Sequence, residues 1–190
     1  MLEYGRLTQA DLPGMAEIFR KFLNDGPEVE AYLRQGMEMP GYVGIKCTDG
    51  QVLAAVLTAR PGVEFTYPKP ELEEMILERW KGKRFYTGEM VTVLPAYRGQ
   101  GVARTMTLQW AQAMRENGGE YLMLELWDKK DGDVPASGMI KYIGTLEESW
   151  VIPDFYKDLH KYGMTCPDCS PGPCTCGANN VAFLCIAQKT

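Results

Sequence analysis

The chain has 190 residues, with 20 Lys or Arg against 25 Asp or Glu, for a formal net charge of −5. That length suits one domain, and 45% hydrophobic residues supply a sizeable core, which excludes a disordered tail. A mildly acidic chain with no dense basic run is a poor match for a phosphate backbone, so nucleic acid is not an expected partner.

No apolar run approaches the ~18 residues of a membrane span. The opening residues lack the apolar stretch of a signal peptide, so a cytoplasmic location is expected. One histidine, His160, excludes a poly-histidine metal site, and the meaning of the six cysteines depends on where they fall.

Leu2–Leu7 reads as a short strand. Thr8 with Asp11 resembles a capping box. It opens a helix whose Met15, Ile18, Phe19, Phe22 and Leu23 recur every three or four positions on one apolar face. Asn24-Asp25-Gly26-Pro27 stops that helix, and a short second one follows over Glu28–Gln35. Tyr42–Cys47 and Gln51–Ala59 are β-rich runs joined by Thr48-Asp49-Gly50, a hairpin signal because Asp and Gly tolerate positive φ.

Prolines at 61, 68 and 70 punctuate a loop, after which Glu71–Lys81 reads as a helix with Leu72, Met75, Ile76 and Trp80 on one stripe. Arg84–Leu94 is the next strand. Pro95 to Gly101 leads into a helix ended by Asn117-Gly118-Gly119, and Tyr121–Trp127 is an apolar strand. Residues 128–138 read as an exposed polar loop, and 139–152 carry no clear period. Pro153–Tyr162 is predicted helical and Val181–Ala187 a last strand. The order β-α-α-β-β-(α)-β-α-β-α-β is a mixed α/β layout, antiparallel at the hairpin, with a parallel crossover over 84–127.

The densest signal is Val91-Thr-Val-Leu-Pro-Ala-Tyr-Arg-Gly-Gln-Gly-Val-Ala-Arg104, where a β-branched strand breaks at Pro95 and a glycine-rich turn opens a helix. Glycines permit sharp turns and close backbone approach, and a helix N-terminus offers unpaired N–H groups with a positive dipole end. Together they predict a site for a pyrophosphate. Arg98 and Arg104 add positive charge. The dinucleotide fingerprint and the P-loop are both absent.

This segment resembles the acetyl-CoA signature of the GNAT N-acyltransferase superfamily, Arg/Gln-x-x-Gly-x-Gly/Ala, with Arg98, Gly101 and Ala103 in its fixed positions. The resemblance implies a single α/β domain over 1–190, the GNAT acyl-CoA N-acyltransferase fold, a mixed central sheet with helices on both faces. It also implies that the Val91-Thr92-Val93 backbone bonds the pantetheine arm and that the amides of Arg98, Gly99, Gln100, Gly101, Val102 and Ala103 hold the pyrophosphate. The strand Tyr121–Trp127 then splays away to admit the thioester.

Asp154–Met164 resembles the family's late Phe-Tyr-x-x-x-Gly-Phe helix, which assigns the general acid to Tyr156, although Gly163-Met164 arrives about three residues late. Tyr162 is the substitute if the register shifts. His160, four residues after Tyr156, falls on the same face of an α-helix. Strand alternation puts Glu89 on one face with Val91 and Val93, and family members often use a glutamate there as a base. Glu125 on the opposing strand is its rival. Core packing is the simplest reading of Phe85, Tyr86, Tyr121 and Trp127.

Cys166-Pro-Asp-Cys169 and Cys174-Thr-Cys176 place four thiols within 11 residues. Four thiolates suit tetrahedral Zn²⁺. Disulfides or redox-active thiols compete with this reading, and the spacing matches no common iron–sulfur pattern. A metal would staple the Pro/Gly-rich loop before the last strand. Cys47 and Cys185 read as buried strand residues.

The expected activity is direct acetyl transfer from acetyl-CoA to an amine on a small molecule or peptide, with a second copy of the chain as a candidate partner. The alternative is a non-catalytic CoA-fold sensor whose cysteines respond to metal or redox state.

Overall fold

The computed structural model describes residues 1–128, 134, 136–166, 168–169, 174–176 and 178–187. Seven strands form one sheet: β1 (Leu2–Arg6), β2 (Val43–Asp49), β3 (Val52–Pro61), β4 (Phe85–Val93), β5 (Tyr121–Trp127), β6 (Thr145–Pro153) and β7 (Ala178–Cys185). Their spatial order is β1-β2-β3-β4-β5-β7-β6. Only β4 and β5 run parallel, as a strand–helix–strand unit requires. The helices are α1 (Leu12–Phe22), α2 (Val29–Glu38), α3 (Pro70–Arg79), α4 (Val102–Glu116) and the one-turn α5 (Ile140–Ile143). Among the described residues no helix is long and apolar enough to cross a membrane.

Period-two alternation sorts the sheet's side chains to two faces. Leu57, Tyr86, Val91, Leu122, Leu124 and Leu184 meet Val102, Met106, Trp110 and Ile143 of α4 and α5. On the other face Val56 and Met90 pack on Met15, Phe19 and Leu33 of α1 and α2. Farther along that second face Phe85, Met123, Val181 and Phe183 pack on Ile76 of α3 and on Phe155, Tyr156 and Leu159. Two-sided burial explains the near-continuous apolar runs of the central strands.

Three elements depart from the sequence expectation. Residues 145–153 form β6, an edge strand. Its alternation is hidden because Glu147 is an unpaired bulge residue between Leu146 and Glu148, and only Glu148, Trp150 and Ile152 turn inward. Pro153 ends β6, opposite Ala178, instead of opening a helix. Asp154 then takes φ 53°, and Phe155–Tyr162 is a 3₁₀ helix. With three residues per turn, Tyr156 shares its face with Leu159, not His160, and both are buried while His160 is exposed. The predicted stripe on α3 also changes, since Ile76 is fully buried and Met75 is 48% exposed. Cys47 is buried as expected, whereas Cys185 is half-buried. Most of the expected loop at 128–138 lies outside the described residues.

Gly88 controls the middle of the sheet. A Cβ there would collide with Leu124 Cδ2 and stand 3.1 Å from Trp110 Cη2. Gly88→Ala is therefore expected to destabilise the protein by roughly 1–3 kcal/mol through overpacking. Thermal unfolding should register this as a Tm lowered by about 2–4 °C per kcal/mol. An unchanged Tm would show that α4 can move away from β4 without cost.

Candidate active site

The β4–β5 ladder stops at Gly88↔Leu124. Beyond it the strands diverge and leave a fork. The cause lies on the other side of β4, where the register with β3 shifts between Thr58↔Met90 and Ala59↔Gly88, so that Glu89 is an extra, bulged residue. A bulge bends its strand and turns β4 away from β5.

It also corrects the expected facing of Glu89. Val91 and Val93 pack toward α4, whereas Glu89 turns with Met90 to the opposite face. There its carboxylate pairs with the Arg60 guanidinium and accepts a hydrogen bond from Thr58 Oγ1 at 3.4 Å. Arg60, which sequence reasoning missed, also reaches the Tyr32 hydroxyl and pairs with Glu64 at 3.1 Å.

A cleft of about 560 Å³ fills the fork, lined by Val91, Thr92, Val93, Arg98 and Ala103 on one side and by Leu124, Leu126, Met139 and Tyr142 on the other. At its end Gly99 and Gly101 hold φ of 75° and 79°, and nothing lies within 4 Å of where their Cβ atoms would stand. Gly101 caps α4 in the left-handed conformation. The first N–H groups of α4, which have no intrahelical partner, open into this cradle. Arg98 is tied to the end of β4 by its Nε donating to Val93 O at 3.0 Å, while Arg104 stands 5.7 Å from the Tyr142 ring.

Val91, Thr92, Val93, Arg98 and Ala103 thus line one cleft, and Gly99, Gln100, Gly101, Val102 and Arg104 form its turn and helix start. The cleft suits acetyl-CoA by its own features. It offers an anion cradle and a strand edge left unpaired beyond the fork.

A second cavity of about 110 Å³ adjoins the first, and both are lined by Gly88, Glu89, Glu125 and Trp127. Its walls are aromatic, from Phe19, Tyr32, Phe65, Trp127 and Tyr156. Glu125 is held at the junction. Its Oε1 accepts the Thr66 N–H at 2.6 Å and the Thr66 hydroxyl at 3.0 Å, and its Oε2 accepts from Asn179 Nδ2 at 2.7 Å. Burial pushes its carboxyl up to about 7, against the opposing pull of those bonds.

Tyr156 is 5% exposed, its ring 5.3 Å from that of Trp127. Burial, with Glu125 nearby, holds its phenol well above the usual range, so the hydroxyl stays protonated. His160 and Tyr162 line neither cavity.

The sulfurs of Cys166, Cys169, Cys174 and Cys176 all lie within 4.8 Å of one another. Cys166–Cys176 and Cys169–Cys176 are 3.8 and 3.7 Å apart. Four thiolates at ~2.3 Å from one ion define a tetrahedron of edge about 3.8 Å. The Thr175 N–H donates to Cys169 Sγ at 3.4 Å. This bond, with those from the neighbouring thiols, outweighs burial and brings the Cys169 thiol down to about 6.

A bulged, forked parallel pair with an anion-binding turn at the end of one prong defines an acyl-CoA-dependent transferase fold. Residues 13–144 match the model of the Acetyltransferase (GNAT) family, and the chain belongs to that family. The match ends at Gly144, before Tyr156 and the four-cysteine cluster.

Among solved structures, the ribosomal-protein-S18-alanine N-acetyltransferase of Escherichia coli superposes with a TM-score of 0.63 at 17% identity, over 100% of this chain and 97% of that one. Arabidopsis thaliana NAA60 in complex with acetyl-CoA gives 0.66 at 12% identity, over 98% and 99%. The putative acetyltransferase yncA of Salmonella typhimurium with acetyl-CoA gives 0.62 at 12%, over 99% and 95%. No curated protein matches the chain by sequence.

Proposed function

We propose that the chain transfers the acetyl group of acetyl-CoA directly to the primary amine of a small molecule or peptide end bound in the aromatic cavity. The observation that carries this reading is the meeting of the two cavities at the fork, one residue past the last paired position of β4 and β5. An amine entering from one side and a thioester from the other meet there between Glu89 and Glu125.

Acetyl-CoA supplies an activated acyl carbon, and the cradle of Arg98, Gly99, Gln100, Gly101, Val102, Ala103 and Arg104 fixes its anionic end. The Val91–Val93 edge aligns its arm. Glu89, committed to Arg60, shapes the cavity wall, and the base role expected of it passes to Glu125, which lines both cavities. Tyr156 protonates the departing thiolate. A sensor with the same fold has no use for a carboxylate held by three donors at the fork.

The cysteine cluster is read as a structural Zn²⁺ site, on the tetrahedral spacing of its sulfurs. A cytoplasmic location, where thiols stay reduced, accords with it.

The test is acetyl-CoA consumption against a panel of primary amines, with acetyl-CoA binding measured separately by calorimetry. Absence of binding would overturn the reading. Tyr156→Phe is expected to lower kcat about tenfold with KM for acetyl-CoA unchanged. General acids supply about 10²–10⁴-fold, and a thiolate, weakly basic, needs the least of that help. Unchanged turnover would remove Tyr156 from the chemistry.

A further inference from the structure

We propose that the four-cysteine cluster takes one Zn²⁺ and, through Gly163-Met164-Thr165, holds the outer wall of the acceptor cavity, so that metal loading controls the acceptor side and leaves the acetyl-CoA cleft intact. The proposal rests on the zinc reading above and adds a position-specific role to it.

The chain entering the cluster is part of the cavity. Met164 and Thr165, the two residues before Cys166, line it together with Asn24 at the end of α1. They are clasped to the α1–α2 turn. The Thr165 N–H donates to Asn24 Oδ1 at 3.0 Å, and the Asp25 N–H donates to Thr165 Oγ1 at 3.2 Å. The Gly26 N–H shares Asn24 Oδ1 at 2.9 Å. Gly26 is needed for this approach, because a Cβ there would stand 2.9 Å from Gly163 O.

The chain leaving the cluster is tied to the same cavity from the opposite side. Two residues after Cys176, Ala178 opens β7, and Asn179 beside it holds Glu125. Between these ties Cys166, Cys174 and Cys176 are buried in one cluster with Tyr156 and Leu159, two further residues of the cavity wall.

A metal bonded to Cys166 and Cys176 therefore joins the two segments that frame the acceptor cavity. Without it the clasp rests on two hydrogen bonds, both exposed, each contributing about 0.5–1.5 kcal/mol. The acetyl-CoA cradle has no residue in this cluster, since Val91, Val93 and α4 belong to the core on the opposite face.

The experiment uses the full chain purified without chelator. Elemental analysis should find one zinc per chain. Chelation should then raise hydrogen exchange of the backbone at 24–26 and 164–166 at least tenfold, shift the acetyl-CoA Kd less than threefold, and be reversed by Zn²⁺ alone. Asn24→Ala, which spares the thiols, should keep the zinc and raise exchange at 164–166. Cys174→Ser should reproduce the chelated state, and reversible chelation of the unaltered protein supplies the same comparison if that variant does not fold.

Zinc bound one to one with exchange at 24–26 unchanged by its removal would overturn the proposal and leave the zinc reading standing. Failure of the protein to hold or take up zinc would sink the zinc reading itself. Loss of acetyl-CoA binding along with the metal would overturn the separation of the two sides.

Discussion

Glu125→Gln is expected to lower kcat/KM for amine acetylation by about 10²–10³-fold, within the range a positioned base supplies. It should also remove a limb of the pH profile that rises through about 7. The sign follows from the carboxyl's environment. Burial raises it from the ordinary carboxylate range to about 7. It is therefore mostly protonated and inactive as a base at pH 6, and mostly ionised at pH 8. In the variant the remaining rate should follow the neutral fraction of the amine itself and keep rising toward pH ~10.

The substitution fits the site. The new side chain keeps an oxygen for the Thr66 donors. Asn179, whose Oδ1 lacks a partner among the described residues, can turn its amide to accept from the new NH₂ group. Steady-state kinetics from pH 6 to 10 checks this. A variant within twofold of the unaltered enzyme, with the same limb, would place the base elsewhere. Glu89→Gln, which breaks the pair with Arg60, should instead raise the acceptor KM and leave the limb near 7.

The anion cradle was legible in the sequence because it is built from backbone. Glycines at 99 and 101 ahead of an amphipathic helix dictate the turn, and the turn supplies the amides whatever the rest of the fold does. The facing of Glu89 was not legible, because alternation assumes an unbroken ladder and the β3–β4 register shifts at that residue. Its one local sign is Gly88, since an isolated glycine inside a strand marks a bulge or a close approach.

Glu125 stood only as a rival base because its partners lie 59 and 54 positions away, at Thr66 and Asn179. No local pattern announces a carboxylate whose hydrogen bonds are assembled by the sheet. Arg60 was missed for the same reason. Tyr156 and His160 were placed on one face by an α-helical period, and the 3₁₀ geometry of Phe155–Tyr162 separates them. The cysteines were legible as a group because all four fall within one short segment, while their contact with the acceptor wall required the fold.

The second large effect concerns that cradle. Gly101→Asp is expected to weaken acetyl-CoA binding at least about 100-fold, and Gly101→Asn only about tenfold, with melting temperatures alike in the unliganded state. The backbone at 101 has φ 79°, which Asp and Asn tolerate better than other non-glycine residues. No atom lies within 4 Å of the new Cβ, so both variants should keep the turn and the start of α4.

Asn isolates the cost of a side chain in the space where the amides meet the pyrophosphate. Asp adds a charge of the wrong sign. Two unit charges about 5 Å apart near a protein surface repel by roughly 3 kcal/mol, and each ~1.4 kcal/mol is a factor of ten in affinity. The difference between the variants should shrink as salt rises, because the charge is exposed and screened, whereas the steric part should not. Calorimetric titration with acetyl-CoA at 50 and 500 mM salt measures both. Equal affinities for the two variants at low salt would mean that the pyrophosphate does not sit at the α4 N-terminus. The assignment of Arg98 through Arg104 would then have to move to another part of the fork.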